Sequence, residues 1–279
     1  MFSKFSSLSS KTKGVIFIIL SALSFTGMNT FVRLAGDLPT MQKVFFRNFV
    51  AMIFAFAAMV KAGDSFKPKK GSLKYLLIRS AAGLAGIFGN FFALVFSAIF
   101  IKEKVKPKQA VAIAVAFIGA LFIIKPTFGN ADLLASLAGF AGGMAAGGAY
   151  TCVRWLGIKG ENGRLIVLFF SVFSCVLTVP YLIFDYHYMT AFQWFALLMA
   201  GVFAAGGQFA ITAAYTHAPS REISVYDYSQ IIFAAVVGFF VYGDIPDVWS
   251  FVGYFIIIAM AVWMFVYNNR QGALKKHNQ

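Results

Sequence analysis

A chain of 279 residues that is 60% hydrophobic and only 12% charged, with a mean hydropathy of +0.77, is too apolar for a soluble globular domain. Its net charge of +14 would suggest nucleic acid in a soluble protein, but here Lys and Arg gather in short loops between apolar runs, so no nucleic-acid partner is expected. Strict apolar/polar alternation is absent, which excludes a transmembrane β-barrel and leaves an all-α polytopic membrane protein.

Lys4, Lys11 and Lys13 precede an apolar run from Gly14 to about Ala35. It is longer than a signal-peptide core and no convincing small-residue cleavage site follows, so it is expected to be a retained first helix. Further helices are predicted over 43–61, 75–101, 109–124, 133–156, 164–184, 192–215, 222–242 and 247–267, giving nine apolar segments. One set of loops is basic: the N-terminus, 61–74, 102–108, 154–164, Arg221 and the tail with Arg270, Lys275 and Lys276. The other set, 36–42, 125–132, 185–193 and 243–247, carries little positive charge. If the basic loops are cytoplasmic, both termini are inside. Segment 75–101 breaks this pattern, because it starts and ends at basic loops yet holds only 27 residues, where two crossings need roughly 40.

An internal repeat accounts for the break. Gly27-Met28-Asn29-Thr30-Phe31-Val32-Arg33-Leu34-Ala35-Gly36 is echoed by Gly148-Ala149-Tyr150-Thr151-Cys152-Val153-Arg154-Trp155-Leu156-Gly157 at an offset of 121. Gly89-Asn90-Phe91 matches Gly207-Gln208-Phe209 at an offset of 118, and Phe100-Ile101-Lys102-Glu103 matches Val241-Tyr242-Gly243-Asp244 at 141. Asn90 to Glu103 spans 13 positions where Gln208 to Asp244 spans 36, so the first half is short by about 23 residues, one helix and its turn. The chain therefore divides into a first repeat, 1–130, with an incomplete fourth helix, and a second, 131–279. Restoring the missing stretch gives five helices per half, and an odd number makes the halves antiparallel in the membrane.

Phe46-Arg47-Asn48 early in the second helix, Lys102-Glu103-Lys104, Ala218-Pro219-Ser220-Arg221-Glu222 and Gly243-Asp244-Ile245-Pro246, set in two five-helix halves, resemble the EamA-type members of the drug/metabolite transporter superfamily. The resemblance covers nearly the whole chain. It implies ten helices in two inverted repeats and a central cavity that moves small metabolites or amino acids by alternating access, often outward. It also implies a bacterial inner (plasma) membrane. In that family the fourth helix helps line the cavity, so the short first half departs from the family pattern.

Polar groups deep in hydrocarbon are candidate site residues. Asn29 and its repeat mate Tyr150, with Asn90 and its mate Gln208, come from four helices at related depths, the arrangement a midplane site between repeats would use. Tyr226, Asp227 and Gln230 open the 222–242 segment and complete the expected substrate-binding set; Asp227 is the one carboxylate clearly inside a predicted span. Interhelical hydrogen bonding as packing is the alternative for all of them. Arg33, Arg47, Arg79 and Arg154 lie near helix ends and read as snorkelling to the interface. His217 lies in a short loop and reads as solvated. Cys152 and Cys175 lack CxxC spacing and read as packing residues. No metal or cofactor pattern appears, and none is expected.

The expected function is secondary transport of a small organic metabolite or amino acid, with no enzymatic activity. A transport-deficient deletion variant or relic of the fold is the alternative, and an intramembrane enzyme is a third. The expected partners are a small-molecule solute and membrane lipid; a homodimer is left open.

Overall fold

Helix starts follow local capping chemistry. The Ser9 side chain accepts from the Thr12 N–H, and the Asn162 side chain from the Arg164 N–H. Thr190 and Gln193 form a reciprocal capping box. The structure, a computed structural model, describes residues 8–83, 106–124 and 133–277.

These residues form α1 (Ser10–Leu34), α2 (Thr40–Ala62), α3 (Ser72–Ala82), α4 (Pro107–Ile124), α5 (Leu133–Ile158), α6 (Gly163–Phe184), α7 (Ala191–His217), α8 (Ser220–Asp227), α9 (Ser229–Val237) and α10 (Val248–His277), with no strand among the described residues. A π-helical turn, Gly238–Tyr242, extends α9. Among the described residues, six spans are long and apolar enough to cross a bilayer: α1, α2, α6, α7, the rod Ser220–Tyr242, and α10 as far as Arg270. The chain is an integral membrane protein. The predicted segment 75–101 corresponds to α3 at its start, and the rest of it lies outside the described residues. The predicted segment 222–242 corresponds to the rod Ser220–Tyr242, which tightens by one turn at Tyr228, between α8 and α9.

α1 packs on α7, α2 on α6 and α7, α3 on α5 and α6, α4 on α10, while α8 and α9 lie against α1. Small residues let the backbones close up. A Cβ on Gly27 would stand 2.7 Å from the Phe203 ring, and one on Gly207 2.7 Å from the Phe25 ring, so each helix of the α1–α7 pair seats an aromatic ring on the other's glycine. The main core holds Tyr215, Ile18, Leu76, Ile211 and Ile223, all fully or almost fully buried. Cys152 and Cys175 are buried free thiols that act as small packing side chains.

Loop contacts sort the helix ends into two faces. On the first, Ser10 Oγ donates to the His217 carbonyl, Lys11 pairs with Glu222 at 3.6 Å and donates to the Asn268 carbonyl, and Gln109 donates to the Asn268 side chain. The ammonium groups of Lys106 and Lys108 lie 5.9 and 5.6 Å from the Tyr267 ring centroid. Arg154 donates to the Tyr215 and Thr216 carbonyls, closing the end of α7. The α2–α3 loop joins the same face, where the Lys69 N–H donates to Glu161 and Arg164 pairs with Asp64 at 2.7 Å. Hydrogen bonds from the Asn162 and Arg164 side chains hold the Asp64 carboxyl below the usual carboxylate range. On the second face, Arg33 pairs with Asp244 at 3.1 Å, Gln42 bonds the His187 backbone in both directions, Gln193 donates to the Ala35 carbonyl, and Phe122 stacks on Trp249.

The described basic loops thus all fall on one face and the described weakly charged loops on the other. The four lysines that a single crossing would have placed on the far side lie between 102 and 108, and of these Lys106 and Lys108 stand on the basic face. α3 and α4 therefore start from the same face. In a chain with Cys152 and Cys175 replaced, Lys106→Cys and Lys69→Cys are expected to react with an impermeant thiol reagent from the same side of the membrane. Labelling from opposite sides would contradict this topology.

Candidate functional site

Four helices carry polar side chains to one level. Counted from the basic face at about 1.5 Å per residue, Arg79 lies about 11 Å along α3, Tyr150 about 12 Å along α5, Gln208 about 14 Å along α7 and Asp227 about 11 Å along α8. A hydrocarbon core is about 30 Å thick, so this level is close to the middle, on the basic side.

Arg79 is the centre of the cluster. It is 3% exposed, its Nη2 donates to Gln208 Oε1 at 2.6 Å, and its guanidinium lies 3.9 Å from the Phe170 ring centroid. Its Nε and Nη1 are buried without a hydrogen-bond partner among the described residues. The Tyr150 ring stacks on Tyr215, with centroids 5.1 Å apart and planes 17° from parallel. Asp227 is 5% exposed and within electrostatic range of Tyr150, Tyr215 and Tyr228. Tyr150 is within electrostatic range of Arg79 as well.

The helix tightens beside this carboxylate. α8 ends at Asp227, α9 begins at Ser229, and the Ile231 N–H bonds the Tyr228 carbonyl in a tighter turn. Residues 223–228 are all buried, whereas none of α9 is. A polar segment in the protein interior thus meets an apolar segment on the outside of the bundle.

The structure brings Tyr150, Gln208 and Asp227 to one level, and Tyr226 is buried next to Asp227 with its hydroxyl unpartnered among the described residues. Gln230 meets α1 through its carbonyl, which accepts from Thr26 Oγ1 at 3.4 Å. Asn29 is not brought in: it is exposed and lies about 29 Å along α1 from the basic face. Asn90 lies outside the described residues. His217 is tied down at the end of α7, its Nδ1 within 2.8 Å of the Ala213 carbonyl.

Arg79 and Arg47 require corrections. Arg79 does not snorkel; α3 aims it into the bundle, where Gln208 and Phe170 hold it. Arg47 turns inward onto Met28, with Nη1 3.7 Å from Sδ. At the offset of 118 Arg79 corresponds to Leu197, which is apolar and fully buried.

A cleft of about 710 Å³ also opens between α1, α7 and the 157–164 turn, lined by Phe17, Leu20, Ser24, Glu161, Arg164 and Gly206 among others. It contains none of the clustered residues, and its Leu20 wall is exposed on the outer side of α1. Polar side chains also line this cleft, but Glu161 and Arg164 are engaged there by the Lys69 N–H and Asp64. The described residues hold no group of three or more His, Cys, Asp or Glu side chains placed to bind a metal ion.

No protein-family profile matches the chain. The pseudopaline exporter CntI of Pseudomonas aeruginosa is 26% identical over 271 residues, spanning 89% of this chain and 94% of the exporter. Human solute carrier family 35 member G1 is 21% identical over 291 residues, spanning 89% and 78%. The riboflavin transporter of Vibrio cholerae is 27% identical over 171 residues, spanning 60% and 56%. A solved crystal structure superimposes with a TM-score of 0.78 over 93% of this chain and 99% of the other at 14% identity, which establishes a shared fold.

Proposed function

We propose that this chain is a secondary transporter of a small organic solute, an EamA-type member of the drug/metabolite transporter superfamily built from two inverted repeats. The observation that carries it is the direction of the helices. α1 leaves the basic face and its repeat mate α5 returns to it; α2 returns and its mate α6 leaves; α3 leaves and its mate α7 returns; α4 leaves and α10 returns. The contacts follow the same exchange, since α1 on α7 is matched by α5 on α3. Such pairs frame a site at the repeat interface near mid-membrane. The relatives named for pseudopaline export and riboflavin transport support a membrane carrier of small solutes.

The deficit of about 23 residues between the repeats supports a second reading, a fold that lacks most of a fourth helix and has lost its transport cycle. The basic face is assigned to the cytoplasm of a bacterial inner membrane, with both termini inside.

Purified protein in proteoliposomes decides between the two readings. Flux of amino acids or amphipathic metabolites is expected, falling about tenfold or more in Tyr150→Phe and Gln208→Ala, the size of one lost polar contact. Flux that both variants leave unchanged would remove the site; absence of flux from the wild-type chain would favour the relic.

A further inference from the structure

We propose that Arg79 is the anion-recognising group of this site and that the transported solute carries a carboxylate, a proposal that takes the transport reading as its starting point. A guanidinium has five N–H donors in a planar fork suited to two-point binding of a carboxylate. Here the charge is 3% exposed, and no carboxylate among the described residues pairs with it. The neutral Gln208 amide takes one donor, the Phe170 ring covers the face, and Nε and Nη1 have no partner among the described residues. A buried cation held by a neutral amide and an aromatic face keeps its charge uncompensated, at an energetic cost. A solute carboxylate placed on Nε and Nη1 supplies both the missing hydrogen bonds and the missing charge.

The Tyr150–Tyr215 stack stands at the same level as Arg79 and offers an aromatic wall to the solute.

The test uses the full chain purified in detergent and matched pairs of probes: glycine, leucine, phenylalanine and histidine, each against its own carboxamide. The acids are expected to raise the melting temperature and the amides are not. Arg79→Gln should abolish the preference. Arg79→Lys, which keeps the charge and loses the fork, should bind the acids roughly tenfold more weakly. If Arg79→Gln is not monodisperse, Arg79→Lys carries the test, because a purely structural arginine would not shift the acid-over-amide preference. Equal stabilisation by acid and amide overturns the proposal, as does stabilisation by neither, or wild-type behaviour of either variant. Proteoliposome flux separates this from the transport reading. An Arg79-dependent acid preference without flux keeps the site and removes transport; flux indifferent to the carboxylate keeps transport and removes the site.

Discussion

Gln208→Leu is expected to destabilise the folded protein by about 3 kcal/mol, because it removes the hydrogen-bond acceptor of a buried guanidinium and leaves the charge facing apolar atoms. Gln208→Glu is expected to behave in the opposite way. A carboxylate at the same position, 2.6 Å from Nη2 in the native geometry, would form an ion pair and hold or raise the melting temperature. That gain would be made at the expense of the site, since the guanidinium would already be neutralised. Carboxylate solutes should then bind about tenfold or more weakly, and flux should fall with them. Thermal unfolding in detergent and acid-versus-amide binding, measured on both variants, check the two halves of the expectation. A Gln208→Leu protein as stable as the wild type would show that Arg79 does not depend on this contact. A Gln208→Glu protein that still prefers acids would show that the solute is held elsewhere.

Gly253→Leu is expected to be the most damaging single change at a helix contact, costing about 3 kcal/mol, the upper end of the overpacking range. A Cβ at Gly253 would stand 2.5 Å from the Gly119 carbonyl oxygen and 2.6 Å from Ile123 Cγ1. The nearest of these atoms is backbone, so no rotamer change relieves it and α4 must move away from α10. In a bilayer, where apolar contact with lipid replaces apolar contact with protein, close backbone approach is a large part of what holds two helices together. Gly253→Ala should show a smaller loss of the same kind. Unfolding in a graded denaturant reads both variants. Wild-type stability in Gly253→Leu would mean that the two helices do not meet at this residue.

The helices were legible because hydrocarbon length and charge set them. The apolar run 164–184 became α6, Gly163–Phe184, since Asn162 caps its start and Asp185 ends it. The two-faced arrangement of loops was legible for the same reason. Arg79 was not, because distance from a helix start was taken as distance from the membrane surface. Burial depends on which way the helix face turns, and α3 turns Arg79 toward α6 and α7. The tightened turn at Tyr228 was also hidden: Tyr226-Asp227-Tyr228-Ser229 contains no Gly or Pro, and the turn falls where a buried α8 gives way to an unburied α9. Asn29 was expected at a depth related to that of Tyr150 and Gln208, but α1 starts at Ser10 and carries it about 29 Å from the basic face.

The most extensive helix pairs, α1 with α7, α2 with α6, α4 with α10, α2 with α7 and α3 with α5, each join the first half of the chain to the second. This has a consequence for biosynthesis. Arg79 is separated from Gln208 by 129 residues, and Ser21 from the Gly207 carbonyl it bonds by 186. At about 5–20 residues per second, a ribosome needs on the order of ten seconds to deliver Gln208 after Arg79. During that interval the first half sits in the insertion machinery with its glycine faces unpacked and a guanidinium unmet. Its residence there is set by the synthesis of the second half. The nascent first half is therefore the form of this protein most dependent on an insertase or chaperone, and the form most open to degradation.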